Sequence, residues 1–383
     1  MAYTPPKVFY SATLEGSYTE ITGVQAVNIT RGRQRFTDPF SGSVCTIEVI
    51  PANSYALPFA IGQFLDIRDS NSGSSAAYFS GRITDVERKY EIPYNSSTGA
   101  APADRIFLTV VGGTGVIGAQ ATDYSYGFGS DDAIEAVASI IYGVAGVRAS
   151  YPGEGYPNPS GVIASGQTFP IGSQVFDVVN TYLRTAQWVI DDGDQNRLTY
   201  SAVNYACNLY PASAAGTPFA FVDDGTAGFK YSGIDYVSSV QSSFSTVVVE
   251  PEGLATQYAT SGTLRNGYVF TSYDATTTQA ASLASYVLTV SQQTTPTPFV
   301  IQTSTAVSDT VAALGKHMTY PVGTAVTVKF RGSTVYATVQ GYAFGYYPDM
   351  ATVQVFLSPS LGTPFTLDST AFGVLDTNRL GYP

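Results

Sequence analysis

Charge is scarce in this chain. Only 12% of its 383 residues are Asp, Glu, Lys or Arg, about half the usual share in a globular protein. Histidine occurs once, at His317, which excludes chemistry that needs two imidazoles, HExxH zinc sites included. The two cysteines, Cys45 and Cys207, are too few for a zinc knuckle or a disulfide scaffold. No run of about 18 apolar residues occurs, so no membrane-spanning helix is expected. The opening MAYTPPKVFYSATLEG has neither a basic stretch nor an apolar core segment, so no signal peptide is expected. Lys and Arg number 18 against 29 Asp and Glu, a formal charge of −11. That balance argues against a protein that wraps nucleic acid, because phosphate binding rests on cations.

The place of charge is taken by hydroxyl and amide residues, 37 Gly, 21 Pro, 28 Tyr and 21 Phe. A hydrophobic share of 44% is enough to build real cores, so low charge does not mean disorder here. Aromatic and hydroxyl residues favour pleated strands, and the helix formers Lys, Glu and Met are few. The composition predicts a mainly β protein of two or three domains.

Strand patterns fill the first stretch. Val24, Ala26, Asn28 and Thr30 share one parity and Val27 and Ile29 the other. In Ser43–Ile50, Val44, Thr46, Glu48 and Ile50 oppose Cys45, Ile47 and Val49, a pattern suited to a strand covered on both faces. Gly62–Ile67, Tyr78–Val86 and Asp104–Val111 complete about six strands, which read as a small sandwich or barrel. The character then changes. Ser130-Asp131-Asp132 opens a capped helix over Ala133–Tyr142, and Ser173–Thr185 has helical spacing. Asp191-Asp192-Gly193-Asp194 reads as a hairpin turn between Trp188–Ile190 and Arg197–Tyr200. Strands return from about Ser232, with helices expected at Thr276–Val290 and Val307–His317.

A weak repeat links the two β regions. Gly62-x-Phe-Leu-x-Ile precedes Gly81 and Pro93, and Gly323-x-Ala-Val-x-Val precedes Gly341 and Pro348. Either any two meanders share such spacing or one barrel is duplicated. A trimer of a duplicated chain presents six similar units around a ring, which can join a six-fold object to a three-fold one.

The chemical motifs have plain readings. Gly113-Thr-Gly115-Val-Ile-Gly118 matches GxGxxG formally, but Ala119–Phe128 is a Tyr/Gly stretch where a dinucleotide site needs a helix. An interdomain turn is expected, and no cofactor. Asp191–Asp194 and Asp223-Asp224-Gly225 lack EF-hand spacing, so turns are expected and no metal. His317 sits at an expected helix end, and nothing in the sequence brings two catalytic carboxylates together. No enzymatic activity is expected. Cys45 reads as a buried thiol and Cys207 as partly exposed. Arg31, Arg33 and Arg35 form the most basic spot, read either as an inter-subunit contact or as a solvated turn. The first is preferred because charges are so few.

The stretches Val27-x-Ile-Thr-Arg-Gly-Arg33, Gly42–Val49, Gly62-Gln63-x-x-x-Ile67 and Phe79–Ile83 resemble the opening barrel of tailed-bacteriophage minor tail and tail-hub proteins. Gln174–Tyr200 is similar to their helical middle domain, and Leu367–Gly381 to their C-terminal tails. The resemblance implies a mainly β fold with an α+β insertion, in which two tube-like β-barrel domains flank a mixed α/β region. The expected domains are a first barrel at 1–115, an α+β domain at 116–231, and a second barrel at 232–360 with a helical insertion around 252–317. An extended arm follows at 361–383. It also implies a homotrimeric ring in the virion tail, assembled in the host cytoplasm, with the DNA channel inside it. Its partners would be the tail tube or a distal tail protein on one side and a tip or fibre protein on the other. DNA would pass without specific binding, and no membrane insertion is implied. Two other readings stay open: a receptor- or glycan-binding tail component, suggested by the Tyr content, and a tail-associated hydrolase.

Overall fold

The computed structural model describes residues 3–13, 16–50, 59–69, 77–89, 105–122, 126–145, 147–151, 160–192, 205–211, 215–235, 244–261, 266–292, 300–316 and 319–359. The first part contributes β1 (Lys7–Ser11), β2 (Thr19–Glu20), β3 (Val24–Gly32), β4 (Ser41–Val49), β5 (Phe64–Arg68), β6 (Ala77–Lys89) and β7 (Arg105–Val111). The middle holds α1 (Gly113–Gly118), β8 (Tyr126–Phe128), β9 (Asp131–Asp132), α2 (Ala133–Ala145), β10 (Val147–Ser150), β11 (Ile163–Ala164), β12 (Gln167–Phe169), α3 (Val175–Ala186), β13 (Trp188–Asp192) and β14 (Tyr205–Pro211). The last part begins with β15 (Ala215–Phe221) and β16 (Gly233–Asp235). It continues through β17 (Thr246–Pro251), β18 (Gln257–Thr260), β19 (Gly267–Ser272), α4 (Thr277–Ser291) and β20 (Val300–Ser304). It ends, after a 3-10 turn at Val311–Gly315, with β21 (Thr324–Phe330), β22 (Ser333–Tyr346) and β23 (Ala351–Pro359).

The protein is mainly β, as its composition predicts. Strand alternation sets the inner face. In β4 Cys45, Ile47 and Val49 are buried while Val44 and Glu48 are half-buried and Thr46 exposed. The covering of both faces expected for this strand is therefore absent within one chain: only one parity is sealed.

The two β regions are joined in a single 13-stranded sheet, and among the described residues no closed barrel is seen. Where two barrels were expected, the described strands form two half-sheets in one continuous ladder. Each half has the same order. The first runs β3-β4-β7-β6-β5 and the second β16-β20-β23-β22-β21, with every neighbouring pair antiparallel. The two also use their strands in the same chain order. The resemblance ends at the sixth strand, because β1 lies antiparallel to β5 whereas β15 lies parallel to β21.

Hydrogen bonds fix the register of the repeat. Gly62 N–H donates to Ile83 O at 2.8 Å, and Gly323 N–H donates to Val339 O at 2.9 Å. Both glycines have positive φ, +93° and +89°, a region that costs an L-residue about 1–2 kcal/mol. A register shift follows at once in each half, between Ile83 and Asp85 and between Val339 and Gly341. Gly62 and Gly323 are thus equivalent, as the sequence spacing suggests. Gly81 and Gly341 are not: Gly341 occupies the place of Asp85.

The middle region packs α2 against α3 beside the small sheet β10-β14-β13. Val175, Val179, Tyr182 and Leu183 on α3 and Ile134, Val137 and Ile141 on α2 are all 1% exposed or less. Between β16 and β20 the chain inserts β18-β17-β19 with α4 across it, which has its own core of Phe244, Val247, Val249, Phe270, Leu283 and Val287. The α4 helix is capped by the Thr276 hydroxyl, which accepts from Gln279 N–H. Four local readings need correction. Gly113–Gly118 is a short helix and not a turn. Asp191 and Asp192 are buried strand residues paired with Asn208 and Cys207. Cys207 is fully buried. The Val307–His317 helix shrinks to the 3-10 turn, and His317 and the arm at 361–383 lie outside the described residues.

The paired glycines generate a prediction. Gly62→Ala and Gly323→Ala should each lower stability by about 1–2 kcal/mol, seen as similar drops in melting temperature by calorimetry. A large drop at one position only would show that the two turns are not equivalent.

Candidate functional site

The two half-sheets meet where β22 pairs antiparallel with β3, from Gly341 opposite Gly32 to Tyr346 opposite Val27. β22 is long enough to serve two partners along one edge. Its first half pairs with β21, Ser333–Thr338 against Phe330–Ala325, and its second half pairs with β3. The crossover needs glycine on both sides. A Cβ on Gly32 would lie 2.4 Å from Gln340 O, and one on Gly341 would lie 2.6 Å from Arg31 O. Arg33 N–H donates to Gln340 O at 2.8 Å and its Nε donates to Gln340 Oε1 at 2.7 Å. Gln340 Nε2 in turn donates to Ser358 Oγ at 2.8 Å.

One inward-facing row crosses this junction. Val27, Ile29 and Arg31 stand opposite Tyr346, Phe344 and Tyr342. The three rings stack along β22, with centroids 5.2 and 5.9 Å apart. Arg31 continues the parity of two core aliphatics, so its guanidinium enters the interior, where its side chain is 2% exposed. It lies 4.8 Å from the Tyr342 ring centroid, and its Nη2 donates to the carbonyls of Leu314 and Tyr320, both at 3.3 Å. The only carboxylate paired with it among the described residues is Asp191, at 3.8 Å from Nη1. Asp191 comes from β13 of the middle region, and its Oδ2 also accepts from Val322 N–H at 2.8 Å. One buried cation therefore ties the first half-sheet, the second half-sheet and the α+β region together.

Asp192 extends the network. Its Oδ1 accepts from the Thr114 hydroxyl at 2.9 Å and from Thr114 N–H at 3.1 Å. Thr114 Oγ1 accepts from Ser43 N–H at 2.9 Å. This explains the formal GxGxxG. A Cβ on Gly112 would meet Asp192 Oδ2 at 2.5 Å, and one on Gly115 would meet Ser43 O at 2.8 Å. The glycines bring α1 against β4, and the anion at the start of α1 is a carboxylate of the chain itself.

Burial pushes the Asp191 carboxyl up to about 6, against the pull of Arg31. Burial raises Asp192 too, opposed by its hydrogen bonds to Ser43 and Thr114.

The three arginines singled out in the sequence are placed apart. Arg31 is interior, so it cannot be a contact with a neighbouring chain. Arg33 is half-buried over the Phe40 ring at 4.2 Å, beside Arg184 and Tyr268 in a small cleft. Arg35 is half-buried in the following turn, where its N–H donates to Asp38 Oδ2 at 3.0 Å. Sequence reasoning passed over Gln340 and the role of Thr114, and it read Asp191 and Asp192 as turn residues. The available signal was parity: Arg31 falls in step with Val27 and Ile29, and Asp191-Asp192 continue the apolar run Trp188-Val189-Ile190.

No protein-family model matches this chain, and no curated protein does. Solved structures do. A 43 kDa prophage tail protein from Shewanella oneidensis aligns with TM-score 0.59 at 12% identity, over 92% of this chain and 99% of that one. A tail protein from Neisseria meningitidis MC58 aligns with TM-score 0.61 at 12% identity, over 93% and 97%. The chain has the fold of prophage tail proteins. A third of this fold, prophage tail protein gp18 from Listeria monocytogenes EGD-e, aligns with TM-score 0.51 at 10% identity, over 91% and 94%. The tail-protein fold thus spans both half-sheets and the region between them, with the Arg31 network at their meeting point.

Two outcomes test the network. Arg31→Met leaves the buried Asp191 carboxyl without its cation and should cost about 3–5 kcal/mol at neutral pH, measured by chemical denaturation. The Asp191 carboxyl holds its proton more tightly folded than unfolded. It therefore adds stability below its ordinary value, and that stability is lost as pH rises from about 4 through about 6. Asp191→Asn should remove this dependence, so wild type loses melting temperature relative to the variant across that window. A pH-independent difference would contradict the raised carboxyl.

Proposed function

We propose that this protein is a non-enzymatic structural component of a phage or prophage tail, a hub-like homotrimeric ring at the distal end of the tail tube. The observation that carries this reading is the repeated five-strand unit within a fold shared with tail proteins along nine tenths of the chain. Three chains with two such units each present six similar modules. That is the geometry needed to hand a six-fold tube to a three-fold tip. The tube or a distal tail protein would lie on one face and a tip or fibre protein on the other, in a virion tail assembled in the host cytoplasm. The half-covered outer parity of β4 and the net charge of −11 suit a wall that DNA slides past.

Arg33 and Arg35, still partly at the surface, belong to this proposal as candidate inter-subunit contacts. Arg33→Ala and Arg35→Ala together should weaken assembly if they serve that role.

Native mass spectrometry and negative-stain imaging test the ring. The expected result is a particle of three 40.5 kDa chains with three-fold symmetry. A protein that stays monomeric at every concentration would overturn the proposal. The proposal also expects duplex DNA to show no retarded mobility with the protein, even at low salt, where phosphate binding is strongest. Binding to a glycan array without ring formation would favour a receptor-binding tail component instead.

A further inference from the structure

Two cations face one cleft without a carboxylate between them. Arg33 follows the end of β3, and Arg184 stands in the last turn of α3. Both line the same cleft with Trp188, Tyr268 and Val287. Tyr268 belongs to β19 and Val287 to α4, so the first half-sheet, the middle region and the insertion meet here. Burial first, and then the like charge of Arg184, weaken the hold of the Arg33 guanidinium on its proton, while Asp38, Tyr268 and Tyr286 pull the other way. Among the described residues, neither arginine is paired with a carboxylate. Asp38 gives Arg33 Nη1 its backbone carbonyl at 3.2 Å, and its carboxylate accepts from Arg35 N–H. A cation in the last turn suits the dipole of α3, which accounts for Arg184 but not for a second cation next to it. The chain has 29 acidic residues to 18 basic ones, so a surplus of cations does not explain the pair.

We propose that this cleft is a carboxylate-binding site, filled by a glutamate or aspartate side chain that a partner protein of the tail presents. The proposal takes its partner from the tail-component reading above, and the site itself stands on the cleft. Guanidinium groups recognise carboxylates through paired, charge-assisted N–H donors. Arg33 already gives Nε to Gln340 and Nη1 to the Asp38 carbonyl, which fixes its plane and leaves Nη2 for a ligand. The Arg184 guanidinium lies over the Phe270 ring, 5.3 Å from its centroid, and donates no hydrogen bond among the described residues. Both side chains are half-buried, so a carboxylate between them is screened less than on an open surface. The walls select among anions. Phe36, Leu183 and Val287 offer apolar surface, which suits a carboxylate on a methylene stem and does nothing for phosphate. The cleft holds about 370 Å³ with its mouth included, at the small end for a metabolite site and ample for the tip of a side chain. An acid seated there would relieve the repulsion of the two cations and link the end of β3 to α3 beside the insertion.

Fluorescence tests the site directly, because Trp188 lines the cleft and is the only tryptophan of the chain. Propionate, which copies a glutamate side chain, should shift Trp188 emission saturably at fixed ionic strength. Propionamide, its uncharged counterpart, should not. The peptide acetyl-Gly-Glu-Gly-amide should bind at least as tightly as propionate, because the acid arrives on a protein, and its Gln form should not bind. Arg184→Met keeps a side chain over Phe270 and removes the charge, and it should weaken both acids roughly ten- to hundredfold. Arg184→Lys keeps the charge without the fork and should fall between the two. The proposal is overturned if neither acid gives a saturable response, if acid and amide respond alike, or if both Arg184 variants keep full affinity. Propionate binding without peptide binding would overturn the protein source and mark a site for free carboxylates. Inorganic phosphate binding as tightly as propionate would overturn the selection by the apolar walls. A chain that binds the peptide and stays monomeric would defeat the ring and keep the site, whereas a three-fold ring that ignores the peptide would do the reverse.

Discussion

The ladder between β22 and β3 is the constraint on which the rest depends. It turns two five-strand units into one sheet, and it places a charged side chain, Arg31, where the inward parity admits only core residues. A buried cation is costly unless paired and hydrogen-bonded. Here Asp191, the carbonyls of Leu314 and Tyr320 and the rings of Tyr342 and Phe344 surround it. Those partners come from the middle region and the second half-sheet while Arg31 belongs to the first, so the ion can be accommodated only when all three parts are docked. Its contribution is thus to specify the arrangement rather than to add net stability. Hydrophobic residues of the same size would fill the space but would not discriminate between docking geometries.

Much of the fold was legible from local pattern. The strands β3 to β7 and the helices α2 to α4 follow from period alone, although the cap of α2 falls at Asp132, which accepts from Ile134 N–H, and not at Ser130. The glycines at 62 and 323 correctly marked equivalent turns, because positive φ followed by a strand is a demand that sequence shows directly. Gly81 and Gly341 misled, since they answer different demands. Gly81 clears Val111 O and the Phe79 ring, while Gly341 clears the backbone of β3. A glycine required by its partner strand cannot be read without knowing the partner. The same holds for Asp191 and Asp192. An acidic pair before a glycine reads as a turn, and only the Thr114 and Arg31 donors, far away in sequence, make a buried strand position tolerable for them.

Low charge has two physical sources in this structure. One is the interior, because Tyr182, Tyr342 and Tyr346 are among the largest side chains fully buried, so a large part of the aromatic stock serves the core of a single chain. The other is the sealed junction, where a run that is exposed and charged in the first half-sheet, Asp85 to Lys89, is replaced in the second by Gly-Tyr-Ala-Phe-Gly from 341 to 345. The same structural position carries charge where no strand pairs with its edge among the described residues and loses charge where its edge is paired.

That contrast bears on why a duplicated chain would keep its two halves different. A junction within one chain forms at high effective concentration and stays formed, so it tolerates an apolar, fully buried ladder. A junction between chains must also exist open, before assembly, and an apolar open edge would recruit any other strand. The divergence between β6 and β22 is therefore what duplication should produce where one copy of the edge is sealed by an internal ladder and the other has no paired strand among the described residues.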